Sequence, residues 1–190
     1  MERNELYPIF LKVHQLQVLI VGGGNVALEK LTFLLKSSPN AQVKLIAPEV
    51  KTEILEIAEE HNVQIELQSY NPSFLKNKHL VIAATGDRAV NEAIYRNCKV
   101  KNLLVNVADT PDLCDFYLGG IVTKGHVKVA ISTNGKSPTT AKRLRQFFEE
   151  VIPEDINQLV ENLNKFRKTI KGNFEKKVVT LNKLTESLVK

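Results

Sequence analysis

Several residue types are scarce in this sequence, and each scarcity excludes a class of protein. The two cysteines, Cys98 and Cys114, lack Cys-x-x-Cys spacing, which excludes a disulfide framework. The four histidines show no metal-ligand spacing, so no tightly held protein metal site is expected. No apolar run approaches the roughly 20 residues of a membrane span, and residues 1–5 lack a signal-peptide pattern. A cytoplasmic protein without membrane contact is therefore expected.

The positive charge of the chain is concentrated near its C-terminal end. The formal net charge is +5, and residues 161–190 carry eight basic and three acidic side chains, which accounts for the whole excess. A basic helix can face nucleic acid, but Phe166 and Phe174 are the only aromatic residues in this stretch. A solvated helix face is the favoured interpretation, and no nucleic-acid partner is expected.

Leu16–Ala27 has the pattern of a strand, a tight turn and the start of a helix. The turn has the form Gly-x-Gly-x-x-Ala, in which Gly22 allows the turn and Gly24 lets a pyrophosphate approach the backbone. Ala27 lets the helix pack closely on the strand. The free amides and the positive helix end then form an anion site. The pattern predicts dinucleotide binding, with a purely structural glycine turn as the alternative.

A second predicted strand, residues 42–47, completes a β-α-β unit. Such a strand commonly ends in an acid that holds the adenosine ribose, whereas this one is followed by Pro48 and Glu49. Either Glu49 reaches the ribose or the Pro48 backbone lines the adenosine site, and a simple helix-entry turn is the alternative. The end of this strand therefore favours neither NAD nor NADP.

Further strands are predicted at residues 63–67, 79–84 and 102–107, separated by helices. In a doubly wound sheet the fourth strand lies beside the first, so Thr85 and Gly86 should face the cofactor, while Asp87 should cap the next helix. Asp109 directly follows the fifth strand. It is favoured as a functional acid over Asp112 and Asp115, which are expected to be turn formers.

The remaining chain changes in character. Residues 116–123 and 126–132 predict an antiparallel hairpin, and Ser137 with Pro138 predicts the start of a helix over 139–151. Helices are also predicted at 154–170 and 173–189. The fold class is α/β: a Rossmann-type parallel sheet, a β-hairpin dimerisation segment and a C-terminal helical tail. The expected boundaries are 1–113, 114–150 and 151–190.

Four motifs together carry a family resemblance. The chain resembles the siroheme synthase N-terminal family, the precorrin-2 dehydrogenase and sirohydrochlorin ferrochelatase family, from Leu6 to about Glu150. The motifs are Val21–Ala27, Ala83–Asp87, Asn106–Phe116 and Ala130–Pro138. No methyltransferase domain follows, so the stand-alone form is expected.

The resemblance implies NAD-dependent oxidation of precorrin-2 to sirohydrochlorin, and in some members insertion of ferrous iron to give siroheme. It also implies a homodimer. Two rival functions stay open, a non-enzymatic NAD-sensing regulatory module and a dehydrogenase without chelatase activity.

The resemblance also assigns site residues. Asn25, Val26, Pro48 and Glu49 match the NAD-contacting positions, and Asp109 matches the catalytic aspartate.

A tetrapyrrole with eight carboxylates needs a basic rim. The resemblance matches Ser137 to a serine near the tetrapyrrole cleft that is phosphorylated in some members. Lys136 and Arg143, with Lys142 and Arg145, are candidates for the rim, although ordinary helix-surface charges are the alternative. His126, in the hairpin, is the histidine that we expect nearest the substrate.

Overall fold

The computed structural model describes residues 3–186, which separate into two compact units. The first unit runs to Gly119 and also includes Ser132–Lys136. The second comprises Gly120–Ile131 and the chain from Ser137 onward. The domain boundaries expected from the sequence stay a prediction.

The first unit is built on a parallel sheet of five strands in the order β3-β2-β1-β4-β5. The strands are β1 (Gln17–Val21), β2 (Gln42–Ala47), β3 (Val63–Leu67), β4 (Leu80–Ala83) and β5 (Leu104–Val107). The strand order reverses between β1 and β4, which pair in parallel. The doubly wound sheet and the position of β4 beside β1 are therefore confirmed. The sequence predicts these strands correctly because continuous apolar runs are typical of parallel strands that are buried on both faces.

Helices cover both faces of this sheet. They are α1 (Asn25–Ser37), α2 (Thr52–Glu60) and α3 (Arg88–Val100). Alternate residues of β1 enter opposite halves of the core: Ile20 packs in the cluster that contains Leu31 of α1, and Leu19 packs in the cluster that contains Ile94 of α3. Between β3 and β4, where the sequence predicts a helix, there is only a short 3-10 turn, Pro72–Leu75. The Asn71 side chain caps it and accepts a hydrogen bond from the Ser73 amide.

The second unit contains an antiparallel hairpin of β6 (Gly120–Lys124) and β7 (Val127–Ile131). Three helices follow: α4 (Pro138–Val151), α5 (Ile156–Thr169) and α6 (Phe174–Leu184). The hairpin is confirmed, but the prediction that its first strand begins at residue 116 is wrong. Phe116 and Leu118 pack against the core of the first unit, which holds residues 116–119 out of the hairpin. α6 ends at Leu184, and residues 187–189 of the helix predicted at 173–189 lie outside the described residues.

The hairpin turn fits tightly against α5. Gly125 has φ +57°, and a Cβ added there would lie 2.1 Å from Asn157 Oδ1. The same Oδ1 accepts a hydrogen bond of 2.8 Å from the His126 amide. The turn therefore requires glycine both for its conformation and for this contact.

None of the helices within residues 3–186 is both long enough and apolar enough to cross a membrane.

Candidate functional site

The glycine turn after β1 is wedged between the ends of two neighbouring strands. A Cβ added to Gly22, which has φ +131°, would lie 2.2 Å from the Ala84 carbonyl oxygen beyond β4. A Cβ on Gly23 would lie 2.0 Å from the Glu49 carbonyl oxygen beyond β2, and the Lys51 amide donates a hydrogen bond of 3.0 Å to the Gly23 carbonyl. The first two glycines are thus required by close backbone packing.

The third glycine faces outward. Gly24 is exposed and forms the N-cap of α1, and a Cβ added there would meet no atom within 4 Å. Within residues 3–186 no side chain caps this helix N-terminus, which leaves its first-turn amides without a capping side chain at the positive end of a 13-residue helix. This geometry fits the pyrophosphate of a dinucleotide, with Asn25 and Val26 in the first turn.

The turn after β4 lies beside the glycine turn, because a Cβ added to Gly22 would also lie 3.1 Å from the Thr85 amide nitrogen. Gly86 is exposed, and a Cβ added to it would also meet no atom within 4 Å. The buried Asn91 of α3 holds Thr85 through three contacts: its Oδ1 accepts from the Thr85 hydroxyl at 2.7 Å and from the Thr85 amide at 3.2 Å, and its Nδ2 donates to the Thr85 carbonyl at 3.1 Å. Asp87 caps α3 as expected, accepting from the Ala89 amide at 2.8 Å.

The structural role of Asn91 was missed at the sequence level. A signal was present, because Asn91 shares the core-facing stripe of α3 with Ile94 and Cys98. A polar residue in such a stripe is buried and must find hydrogen-bond partners.

The loop after β2 places a cation beside the glycine turn. Pro48 and Glu49 are exposed there, as a contact to the adenosine ribose requires. Two residues further, Lys51 Nζ lies 2.9 Å from Asn25 Oδ1 at the start of α1. No pattern in the sequence singles out Lys51.

Asp109 stands at the end of β5 in an unusual backbone conformation. It is exposed and has φ +58°, in the left-handed region that aspartate tolerates better than most residues. The preceding residue is fixed to the neighbouring strand, because the Ala108 amide donates to the Ala83 carbonyl at 2.9 Å. Asp109 therefore lies on the same sheet edge as the Gly22 and Thr85 turns.

The chain that follows Asp109 is clamped to β5. Asp115 Oδ2 accepts from the Val105 amide at 3.0 Å, the Asp115 amide donates to the Val105 carbonyl at 2.8 Å, and the Asp115 carboxylate forms an ion pair with Lys99. The buried Asn106 Nδ2 donates to the Phe116 carbonyl at 2.8 Å. Asp115 thus holds the chain to β5, a structural role other than the turn former that was expected, and the clamp fixes the loop that carries Asp109.

The two thiols are not suited to nucleophilic chemistry. Burial raises the pKa of Cys98 to about 11, and burial also raises the pKa of Cys114. Cys114 Sγ lies 3.2 Å from the Val107 carbonyl, to which it donates. Both therefore stay protonated near neutral pH.

The candidate substrate residues divide between the two units. Lys136 belongs to the first unit, where its amide donates to the Thr133 carbonyl at 3.0 Å. In the second unit, Ser137 Oγ accepts from the Thr140 amide at 3.1 Å as the N-cap of α4, and the exposed Arg143 donates to Gln146 at 3.0 Å. His126 Nε2 lies 3.7 Å from a Glu161 carboxylate oxygen of α5. The binding roles of these four residues stay predictions.

No group of three or more His, Cys, Asp or Glu side chains within residues 3–186 could hold a metal ion.

Two family models match the chain. Residues 9–120 match a model described as putative NAD(P)-binding, and residues 124–150 match one described as sirohaem biosynthesis protein, central. The first match covers more than half of the chain. It supports the nicotinamide dinucleotide, NAD, that was expected as cofactor.

Curated siroheme synthases are also similar to this chain. A siroheme synthase of Nitrosococcus oceani is 39% identical over 164 residues, covering 86% of this chain and 35% of the relative. A siroheme synthase of Methylococcus capsulatus is 41% identical over 152 residues, covering 80% of this chain and 32% of the relative. The chain thus spans about a third of the length of these relatives.

A solved structure resembles the chain over most of its length. The protein named "SirC, precorrin-2 dehydrogenase" matches with a TM-score of 0.73 and 25% identity, covering 94% of this chain and 89% of that one. The family resemblance inferred from the four motifs is confirmed. This chain belongs to the putative NAD(P)-binding family whose members include the corresponding region of siroheme synthases.

Proposed function

We propose that this protein oxidises precorrin-2 to sirohydrochlorin with NAD as the hydride acceptor, a step of siroheme biosynthesis. The observation that carries the proposal is the carboxyl edge of the sheet, where the open Gly24 turn, the Thr85–Gly86 turn and Asp109 follow β1, β4 and β5. Ligands of open α/β sheets bind at this edge. The names of the relatives and of the similar structure support the substrate.

The chain's own residues have distinct parts in this reaction. The amides at Gly24, Asn25 and Val26 bind the pyrophosphate, and the loop at Pro48 and Glu49 lines the adenosine site. When bound, the dinucleotide accepts a hydride from the substrate. A proton must leave in the same oxidation.

Asp109 is the proposed acceptor of that proton. It is the exposed carboxylate at the end of β5, on a backbone fixed by the Ala108 contact to β4. The same carboxylate could accept pyrrole protons if the protein also inserts ferrous iron, which would enter as a substrate. The ferrochelatase reaction and the cytoplasmic location stay predictions.

The substrate carries eight carboxylates, and cations are needed to bind them. We assign this role to Lys136 and Arg143, both exposed, with Ser137 and His126 as further contacts. Arginine and lysine at such sites form charge-assisted hydrogen bonds to carboxylates.

The test is anaerobic turnover of enzymatically made precorrin-2 with NAD. We expect NADH to appear in step with the sirohydrochlorin absorbance, and a parallel sample with added ferrous iron measures chelation separately. A folded protein that binds NAD but produces no NADH with precorrin-2 would contradict the dehydrogenase and favour the NAD-sensing module.

We also propose that the protein is a homodimer. Leu144, Phe147 and Val151 follow one another along one face of α4 and are 39%, 54% and 56% exposed. Three large apolar side chains on one helix face are suited to an interface with a second copy.

Sedimentation velocity tests the dimer. The wild-type protein should sediment as a dimer, and Phe147→Glu should shift it to a monomer because a charge is placed within the apolar face. The control, Gln146→Glu, adds the same charge at the neighbouring exposed position and should leave the dimer intact. A monomeric wild type would contradict the proposal.

A further inference from the structure

The ammonium of Lys51 lies beside the glycine turn, in contact with one neutral and one acidic side chain. Its Nζ is 2.9 Å from the neutral Asn25 Oδ1 and 3.0 Å from a Glu53 carboxylate oxygen, and its side chain is 38% exposed. The contact to Asn25 spans from the loop after β2 to the first residue of α1. An ion pair with an exposed carboxylate contributes little to stability, so folding alone does not explain this placement.

The backbone of Lys51 is fixed although its side chain is not buried. Its amide donates to the Gly23 carbonyl at 3.0 Å, and Gly23 itself is held against the Glu49 carbonyl. The loop after β2 and the glycine turn therefore form one fixed backbone assembly. This assembly positions the Lys51 ammonium beside Asn25, the residue that follows Gly24.

The start of α1 is where a dinucleotide places its negative charge. Among the residues that the structure describes, no side chain caps the N-terminus of α1, and Gly24 presents no Cβ there. A pyrophosphate at this position lies within reach of a side chain that already contacts Asn25. A phosphate oxygen is a stronger acceptor for an ammonium than a neutral amide oxygen.

We propose that Lys51 binds the pyrophosphate of the nicotinamide dinucleotide, exchanging its contact with Asn25 Oδ1 for a phosphate oxygen. This inference rests on the proposed cofactor of the reaction and adds a residue to its binding site. The site then combines helix amides with one ammonium group, which the glycine turn by itself does not supply.

The position of Lys51 favours the pyrophosphate over a 2′-phosphate of NADP. Asn25 begins α1, and the helix N-terminus is where the pyrophosphate binds, whereas the ribose lies beyond the end of β2. Lys51 is directed to the former by the 2.9 Å contact. Loss of Lys51 should therefore weaken NAD and NADP equally.

Glu53 competes with the cofactor for Lys51. Hydrogen bonds from its own backbone amide and from Lys51 lower the pKa of the Glu53 carboxyl, so this group is ionised at neutral pH. Removal of its charge should release Lys51 for the phosphate.

Calorimetric titration of the full chain with NAD, in the absence of tetrapyrrole, tests the proposal. Lys51→Met should raise the Kd for NAD about tenfold, in the range expected for a lost charge-assisted hydrogen bond, and should flatten its dependence on salt. Lys36→Met, at the other end of α1, is the matched control and should leave the Kd unchanged. Adenosine, which lacks phosphate, should bind the wild type and Lys51→Met with equal Kd.

Glu53→Gln provides a test in the opposite direction. It should lower the Kd for NAD about twofold, and this gain should vanish in the double variant with Lys51→Met, because the effect acts through the ammonium. Thermal unfolding of each variant checks that it is folded.

The results of these titrations distinguish a failure of the Lys51 proposal from a failure of the proposed NAD-dependent function. Wild-type protein that binds no NAD would contradict the proposed function itself. Wild-type binding with an unchanged Kd in folded Lys51→Met would overturn only the role of Lys51. A loss confined to NADP would also overturn it, since the cation would then contact the 2′-phosphate.

Discussion

Replacing Asp109 with asparagine is expected to lower kcat for precorrin-2 oxidation by about 100- to 10,000-fold, the usual contribution of a general acid or base. Asparagine keeps the size and hydrogen-bonding shape of aspartate but cannot accept the proton. It also tolerates the left-handed backbone, here φ +58°, so the β5 end should keep its conformation. The Kd for NAD should stay within about twofold, because the pyrophosphate is bound at the glycine turn.

The matched control for this experiment is Asp112→Asn. Asp112 is an exposed carboxylate in the 3-10 turn Pro111–Leu113 of the same loop, so the variant removes the same charge three residues away. It should retain most of the activity. Wild-type kcat in Asp109→Asn, or an equal loss in both variants, would contradict the role of Asp109 as proton acceptor.

The second large effect is a contrast between two glycines of one turn. Gly22→Ala should lower the free energy of unfolding by about 3 kcal/mol, because its Cβ would overlap the Ala84 carbonyl at 2.2 Å and its φ is +131°. Gly24→Ala should leave stability almost unchanged, since its Cβ meets no atom within 4 Å. It should still weaken NAD binding about tenfold or more, because the methyl group would occupy space intended for the pyrophosphate.

Denaturant unfolding and NAD titration of both variants measure this contrast. We expect a lower free energy of unfolding in Gly22→Ala, and weaker NAD binding without a loss of stability in Gly24→Ala. Equal destabilisation of the two variants would contradict the packing described for the turn. Normal NAD affinity in Gly24→Ala would instead place the pyrophosphate elsewhere.

The sheet was predictable because its determinants are local. The apolar run before Gly22 and the residues at 42–47 specify buried strands by composition, and β2 has the predicted bounds of Gln42–Ala47. The order around β1 follows from the rule for doubly wound sheets. The caps at Asp87 and Ser137 were predictable for the same reason, because their acceptors bind amides within three residues.

Contacts between distant segments were not predictable in this way. The clamp of Asn106 on the Phe116 carbonyl joins a strand to a loop ten residues later, and it is one reason why β6 begins at Gly120. The approach of Lys51 to Asn25 spans 26 residues. Neither leaves a periodic pattern in the sequence, since each depends on where distant segments meet after the sheet has formed.

The tight fit of the hairpin turn against α5 has a consequence for the order of folding during synthesis. The His126 amide finds its acceptor on Asn157, a side chain 31 residues later in the chain. When β6 and β7 leave the ribosome, Asn157 has not yet emerged from the exit tunnel, whereas β1 to β5 are already outside. The parallel sheet can therefore fold cotranslationally ahead of the hairpin, and the hairpin turn is secured only when α5 has emerged.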